Sequence, residues 1–91
     1  AEVQAFADRF RAEHGLTLSF TRAAVDVLVR LSVESGRTIR SLCTEKFHDF
    51  PYGLKLISRN TEQTAFSISK AAVEAPERVL SKWITQSYGR S

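Results

Sequence analysis

Two short segments in which apolar and polar side chains alternate place the strongest constraint on how this chain can fold. Residues 16–20 read LTLSF and residues 64–69 read TAFSIS, and both follow the period of two that is typical of a half-buried strand. An isolated short strand is not stable in water, so each segment needs a hydrogen-bonding partner. We therefore expect the two segments to pair with each other, although residues 21–63 separate them along the chain.

The segments around these two strands have the apolar spacing of helices that pack on a core. We predict a first helix over Glu2–His14 that ends at Gly15, and a second that follows the N-cap Thr21 and stops at Ser35-Gly36. A third helix is predicted to begin around Arg37 or Thr38 and to end near Phe50, before Pro51. A last helix is predicted to begin at Pro76 and to carry its apolar stripe to Tyr88.

Two further segments are less regular. Residues 52–60, YGLKLISRN, fit either a helix or a short strand, and we interpret them as helical. Ser69 can cap a brief turn through Lys70–Glu74. Together, these patterns predict an α+β fold, a mostly helical small domain in which four to five helices pack on a two- to three-stranded sheet.

Length and composition restrict the class of protein. With 91 residues there is room for one core, so residues 1–91 are expected to form a single domain. The chain begins inside a predicted helix, which suggests a fragment of a longer polypeptide. No secretory signal or membrane-spanning segment is visible, and the single cysteine cannot form an internal disulfide, so we expect a cytoplasmic protein with no membrane partner.

No residue pattern indicates catalysis or metal binding by this chain alone. None of the four glycines begins a Gly-Lys-Ser or Gly-Lys-Thr phosphate loop. His14, Cys43 and His48 fall too far apart to suggest a metal site, and Cys43 is expected to be a small buried apolar residue. We therefore predict no catalytic residue, no metal and no cofactor for the fragment itself.

The order of elements and one short motif resemble a known family. The chain reads LSF at 18–20, AAVDVL at 23–28, GRTIR at 36–40 and HDFP at 48–51, followed by FSIS. In this order they are similar to the C-terminal small domain, or lid, of AAA+ ATPases of the Clp/HslU unfoldase type. The similarity covers about residues 5–70.

The resemblance implies a non-catalytic lid that senses nucleotide. Arg37 matches the position of the family's second-sensor arginine, and Arg40 matches the arginine that follows, so both are candidate nucleotide-binding residues. ATP and Mg²⁺ would be bound mainly by a large domain of the same chain. Neighbouring subunits of a homo-oligomeric ring would be the other partners, and the parent would be a chaperone or protease-associated ATPase.

The residue types at the start of the third helix also fit an anion-binding site, although they do not specify which anion. A guanidinium at a helix start presents a fork of donors suited to phosphate, next to the unpaired N–H groups of the first turn. The alternative is that Arg37 and Arg40 are solvated or pair with Glu34 and Glu45.

The sequence also fits other interpretations. Phe50, Tyr52, Leu54 and Ile57 are candidate interface residues, or else they complete the core. The net charge of +3 and the tight Ser-Gly turn between two helices also fit a small nucleic-acid-binding module of helix-turn-helix type, although the second helix buries most of its side chains. A plain protein-interaction adaptor is a third possibility.

Overall fold

The computed structural model describes residues 2–88 and confirms a mostly helical α+β domain. Within that range it contains six helices and one sheet of two strands. In chain order the elements are α1 (Glu2–His14), β1 (Thr17–Phe20), α2 (Arg22–Ser35), α3 (Ile39–Lys46), α4 (Phe50–Thr61), β2 (Ala65–Ile68), α5 (Lys70–Glu74) and α6 (Pro76–Tyr88). The helix count exceeds the expected four to five because the short turn at α5 is a helix.

The two strands pair as predicted, and they run parallel. Thr17 is opposite Ala65 and Phe20 is opposite Ile68. Beyond the strand ends, the Thr17 N–H donates to the Thr64 carbonyl at 2.8 Å and the Thr21 N–H donates to the Ile68 carbonyl at 3.0 Å. A parallel pair cannot be joined by a tight hairpin, so α2, α3 and α4 together form the crossover between the strands.

Local sequence signals explain most helix ends. The hydroxyls of Thr21 and Ser69 accept from the Ala24 and Ala72 N–H groups, at 3.1 and 3.4 Å, and cap α2 and α5 as expected. Gly36 ends α2 in the left-handed region at φ 71°, where a residue with a side chain is strained.

The predicted end of the third helix is wrong. α3 ends at Lys46, and α4 begins at Phe50 with Pro51 in its first turn. Proline is compatible with that position because the first-turn N–H groups have no partner within the helix. Pro51 therefore lies in the first turn of a helix, although its position was expected only to end one, and residues 52–60 are helical as interpreted.

The core is organised around a row of aromatic side chains. Phe47 lies at its centre, with ring centroids 6.2 Å from Phe6, 5.9 Å from Phe20 and 4.8 Å from Phe50. Phe50 then contacts Trp83 at 6.3 Å. The row joins α1, β1, the α3–α4 turn and α6 into one hydrophobic core. No helix within residues 2–88 is long and apolar enough to cross a lipid bilayer.

Candidate functional site

The turn between α2 and α3 holds Arg37 in a defined backbone position. Gly36 reverses the chain, and Thr38 caps α3 by accepting from the Ser41 N–H at 3.0 Å. The Ser32 hydroxyl donates to the Arg37 carbonyl at 2.6 Å, and the Arg37 N–H donates to the Ser35 hydroxyl at 3.2 Å. Hydrogen bonds from the end of α2 therefore fix the start of the Arg37 side chain.

The Arg37 guanidinium lies along α3 and remains at the surface. Its Nη2 donates to the Ser41 hydroxyl at 2.7 Å, and its Nη1 is 2.5 Å from a carboxylate oxygen of Glu45. The side chains of Arg37 and Glu45 are 39% and 67% exposed. Of the two pairings considered from the sequence, the one with Glu45 forms, whereas Glu34 makes no ion pair within residues 2–88.

A small cleft adjoins this ion pair between α2 and α3. Its volume is about 150 Å³, and Leu31, Ser35 and Leu42 contribute to its walls. Arg37, Glu45 and Lys46 supply two positive charges and one negative charge at its rim. We call it the Arg37 cleft.

The structure does not bring Arg40 to the Arg37 cleft. Arg40 is exposed and lies on the other side of α3, at a second groove. This groove, the α1–α3 groove, is lined by Arg9, Phe10 and His14 of α1 and by Arg40, Phe47 and Pro51 on the facing wall. The three-residue spacing of Arg37 and Arg40 does not place them together because Arg37 precedes the first helical residue, Ile39.

The candidate interface residues are mostly core residues. Phe50, Leu54 and Ile57 are buried on the inner side of α4, so they form no surface patch in this chain. Tyr52 alone of the four points outward, with 83% exposure. The helical period explains this burial, because Phe50, Leu54 and Ile57 repeat at the i, i+4 and i+7 positions of one face.

Cys43 is a core residue with an unreactive thiol. It is fully buried on α3, and burial raises the pKa of the thiol to about 11, although Lys46 opposes part of this shift. A thiol with so high a pKa is protonated at neutral pH and is a weak nucleophile. Within residues 2–88 no group of histidine, cysteine, aspartate and glutamate side chains could hold a metal ion.

Sequence reasoning missed the contribution of α1 to the surface. Arg9 is exposed and lies at the rim of the α1–α3 groove. The spacing of Phe6, Arg9 and Phe10, at i, i+3 and i+4, was the available signal, since these positions share one helix face.

Comparisons with known proteins add no assignment. A scan against protein-family models, a search of curated proteins and a search of solved structures each found no match for this chain.

Proposed function

We propose that this chain is the C-terminal lid domain of an AAA+ ATPase of the Clp/HslU unfoldase type. The observation that supports the proposal most directly is the position of Arg37. Its backbone is fixed at the α2–α3 corner, while its guanidinium stays accessible and is held by an exposed partner. The order of strand, helix, Ser-Gly-Arg turn, helix and second strand is the one on which the resemblance rests, with the additional helix α4 between α3 and β2.

The Arg37–Glu45 pair suggests how such a lid would respond to nucleotide. Exposed ion pairs contribute only about 0 to 1 kcal/mol, so Arg37 can leave Glu45 at little cost. A γ-phosphate carries more charge and offers several oxygens to the guanidinium fork. Exchange of Glu45 for phosphate would favour one orientation of the lid when ATP is present, because a ligand shifts a conformational equilibrium by its differential affinity.

The partners follow from the same proposal. ATP and Mg²⁺ would reside mainly on a large domain of the parent chain, and neighbouring subunits of a ring would pack against the lid in the cytoplasm. The proposal depends on Arg37 alone for contact with nucleotide. Arg40 would reach the same phosphate only from the other side of α3.

The experiment is a comparison of three variants in the parent ATPase. Arg37→Ala is expected to reduce ATP turnover, or its coupling to protein unfolding, by about tenfold or more, as expected for the loss of a charge-assisted phosphate contact. Glu45→Gln should retain turnover, because it removes only the competing partner. Arg30→Ala, an exposed arginine of α2, is the matched control and should leave activity unchanged.

Three results would contradict the proposal. The first is normal coupled activity in Arg37→Ala, and the second is an equal loss in Arg30→Ala. The third is a parent polypeptide with no P-loop and no Walker B acid.

The nucleic-acid alternative has less support. α3 has only eight residues, and the carboxylate of Glu45 lies beside Arg37, where it would repel a nucleic-acid phosphate. Its test is a salt titration of duplex binding. Phosphate contacts would give a steep dependence of affinity on salt, whereas a lid should bind duplex weakly at any salt concentration.

A further inference from the structure

The α1–α3 groove combines a buried aromatic floor with an open surface. Its volume is about 420 Å³. Phe10 and Phe47 are 5% and 2% exposed at its base, and Phe6 and Pro51 are half-buried at its sides. The centroid of the Phe6 ring is 6.2 Å from those of both Phe10 and Phe47. An apolar side chain that entered the groove would therefore contact mainly Phe6 and Pro51, above the buried rings of Phe10 and Phe47.

Two uncompensated positive charges stand on opposite walls of this groove. Arg9 on α1 and Arg40 on α3 are both exposed, and neither forms an ion pair within the part of the chain that the structure describes. The carboxylate of Glu13, which also lines the groove, lies 3.8 Å from His14 Nε2. The two guanidiniums are therefore free to bind anionic groups of an occupant.

His14 adds a polar group with no partner. Its Nδ1 is buried and makes no hydrogen bond within residues 2–88, and the ring packs on Phe10 with centroids 4.8 Å apart. A buried polar atom without a partner is costly, and most such atoms in folded proteins are satisfied. Because Nδ1 is inaccessible at the surface, it is not part of the binding surface, and His14 contributes to the groove wall through its ring, which packs on Phe10.

From these features we infer that the α1–α3 groove binds a short acidic segment of another protein, with apolar side chains flanked by carboxylates. Arginine and aromatic residues are the types that dominate protein–protein binding sites. Between Phe6 and His14 the α1 wall is about 12 Å long, which matches three to four extended residues. Arg9 and Arg40 complement the carboxylates, and together they outnumber the one carboxylate of Glu13 in the groove wall. The inference goes beyond the proposed lid function and does not involve nucleotide.

The test is an NMR titration of the isotope-labelled chain with the unlabelled peptide acetyl-Asp-Leu-Phe-Asp-amide. Backbone amide shifts should change along residues 6–14 and 40–51, and should not change around Trp83. Replacing both aspartates of the peptide by asparagine, or its Leu-Phe by Ala-Ala, should weaken binding. Raising the ionic strength from about 0.05 to about 0.5 M should also weaken binding, because salt screens exposed charges.

Variants of the chain assign the binding to the two arginines. Arg9→Ala and Arg40→Ala should each raise the dissociation constant about two- to fivefold, and the double variant about tenfold, as expected for partly exposed charge pairs. Arg30→Ala is the matched control, and Arg37→Ala separates this site from the proposed nucleotide contact. Both should bind the peptide like the unchanged chain, with amide spectra that report an intact fold.

Several outcomes would overturn the inference. They are shift changes that map elsewhere, equal affinity for the asparagine peptide, or unchanged affinity in the double variant. Tighter binding of naphthoate than of the peptide would also overturn it, because it would assign the groove to small aromatic acids. None of these results depends on the ATPase experiment, so each proposal can fail alone.

Discussion

The seam between α4 and α6 and the corner between α2 and α3 are held together in different ways. At the seam, Gly53 packs so closely that an added Cβ would lie 2.6 Å from Leu80 Cδ1, and Asn60 donates to the Ser87 hydroxyl at 3.2 Å. At the corner, Arg37 is held by an exposed carboxylate that water or another anion can replace. The seam is therefore fixed by shape, whereas the Arg37 guanidinium at the corner is held by a charge contact that can exchange. We expect the free energy of unfolding to depend mainly on the seam, and the proposed nucleotide contact to depend on Arg37 at the corner.

The substitution expected to destabilise the α4–α6 seam most is Gly53→Val. The added side chain would overlap Leu80, whose Cγ is already within 2.9 Å of the ideal Cβ position. We expect a loss of about 3 kcal/mol in the free energy of unfolding, at the upper end of what overpacking usually costs. Urea denaturation followed by Trp83 fluorescence measures it.

A double variant shows whether steric overlap is the cause. In Gly53→Val with Leu80→Ala, the two side chains no longer compete for space, so the combined loss should be smaller than the sum of the single losses. A strictly additive result would show that Gly53 is not limited by Leu80.

Burial of Cys43, on the inner side of α3, can be tested through the pH dependence of stability. The folded thiol has a pKa of about 11, against an ordinary value of 9.0. Below pH 9 the thiol stays protonated in both the folded and the unfolded chain, so its ionisation does not lower the free energy of unfolding. As the pH rises from 9 to 11, only the unfolded chain releases the proton, so stability falls by about 2 to 3 kcal/mol.

Cys43→Ala isolates this effect, because other groups titrate equally in both proteins. The difference in unfolding free energy between the two should change between pH 8.5 and about 10.5. A difference that stays constant over that range would contradict a buried, protonated thiol.

The smallest expected effect concerns Thr38, the N-cap residue of α3. Thr38→Ala removes the hydroxyl that accepts from the Ser41 N–H and should cost about 1 kcal/mol of stability. Thr38→Ser keeps the acceptor and should lose much less. Thermal unfolding by circular dichroism measures both variants, and equal losses would show that the hydroxyl has no capping role.

The sequence was a good guide wherever a local signal decides the structure. The alternation in LTLSF and TAFSIS predicted the paired strands, and the hydroxyls of Thr21 and Ser69 predicted two helix starts. The parallel direction of the strands was not predicted, because alternation specifies which face of a strand is buried and not its direction. Pro51 misled because proline fits the first turn of a helix as well as a break after one.

The candidate site was harder to predict than the fold. Arg37 was a candidate by residue type and position, and its pairing with Glu45 was one of several alternatives that only the course of the backbone could separate. Arg40 was grouped with Arg37 because the resemblance matches it to the arginine that follows the second sensor. The α1–α3 groove arises where residues far apart in sequence meet, which no single segment reveals.

The parallel pairing of β1 and β2 has a consequence for biosynthesis. As the chain leaves the ribosome, β1 appears early, but its hydrogen-bonding partner at Ala65–Ile68 follows only after three helices have been made. Until then the β1 backbone has no strand to complete it, and closing so long a loop is a slow, non-local step. Synthesis that stops before residue 65 should therefore leave a chaperone-dependent, protease-sensitive product instead of a smaller stable domain.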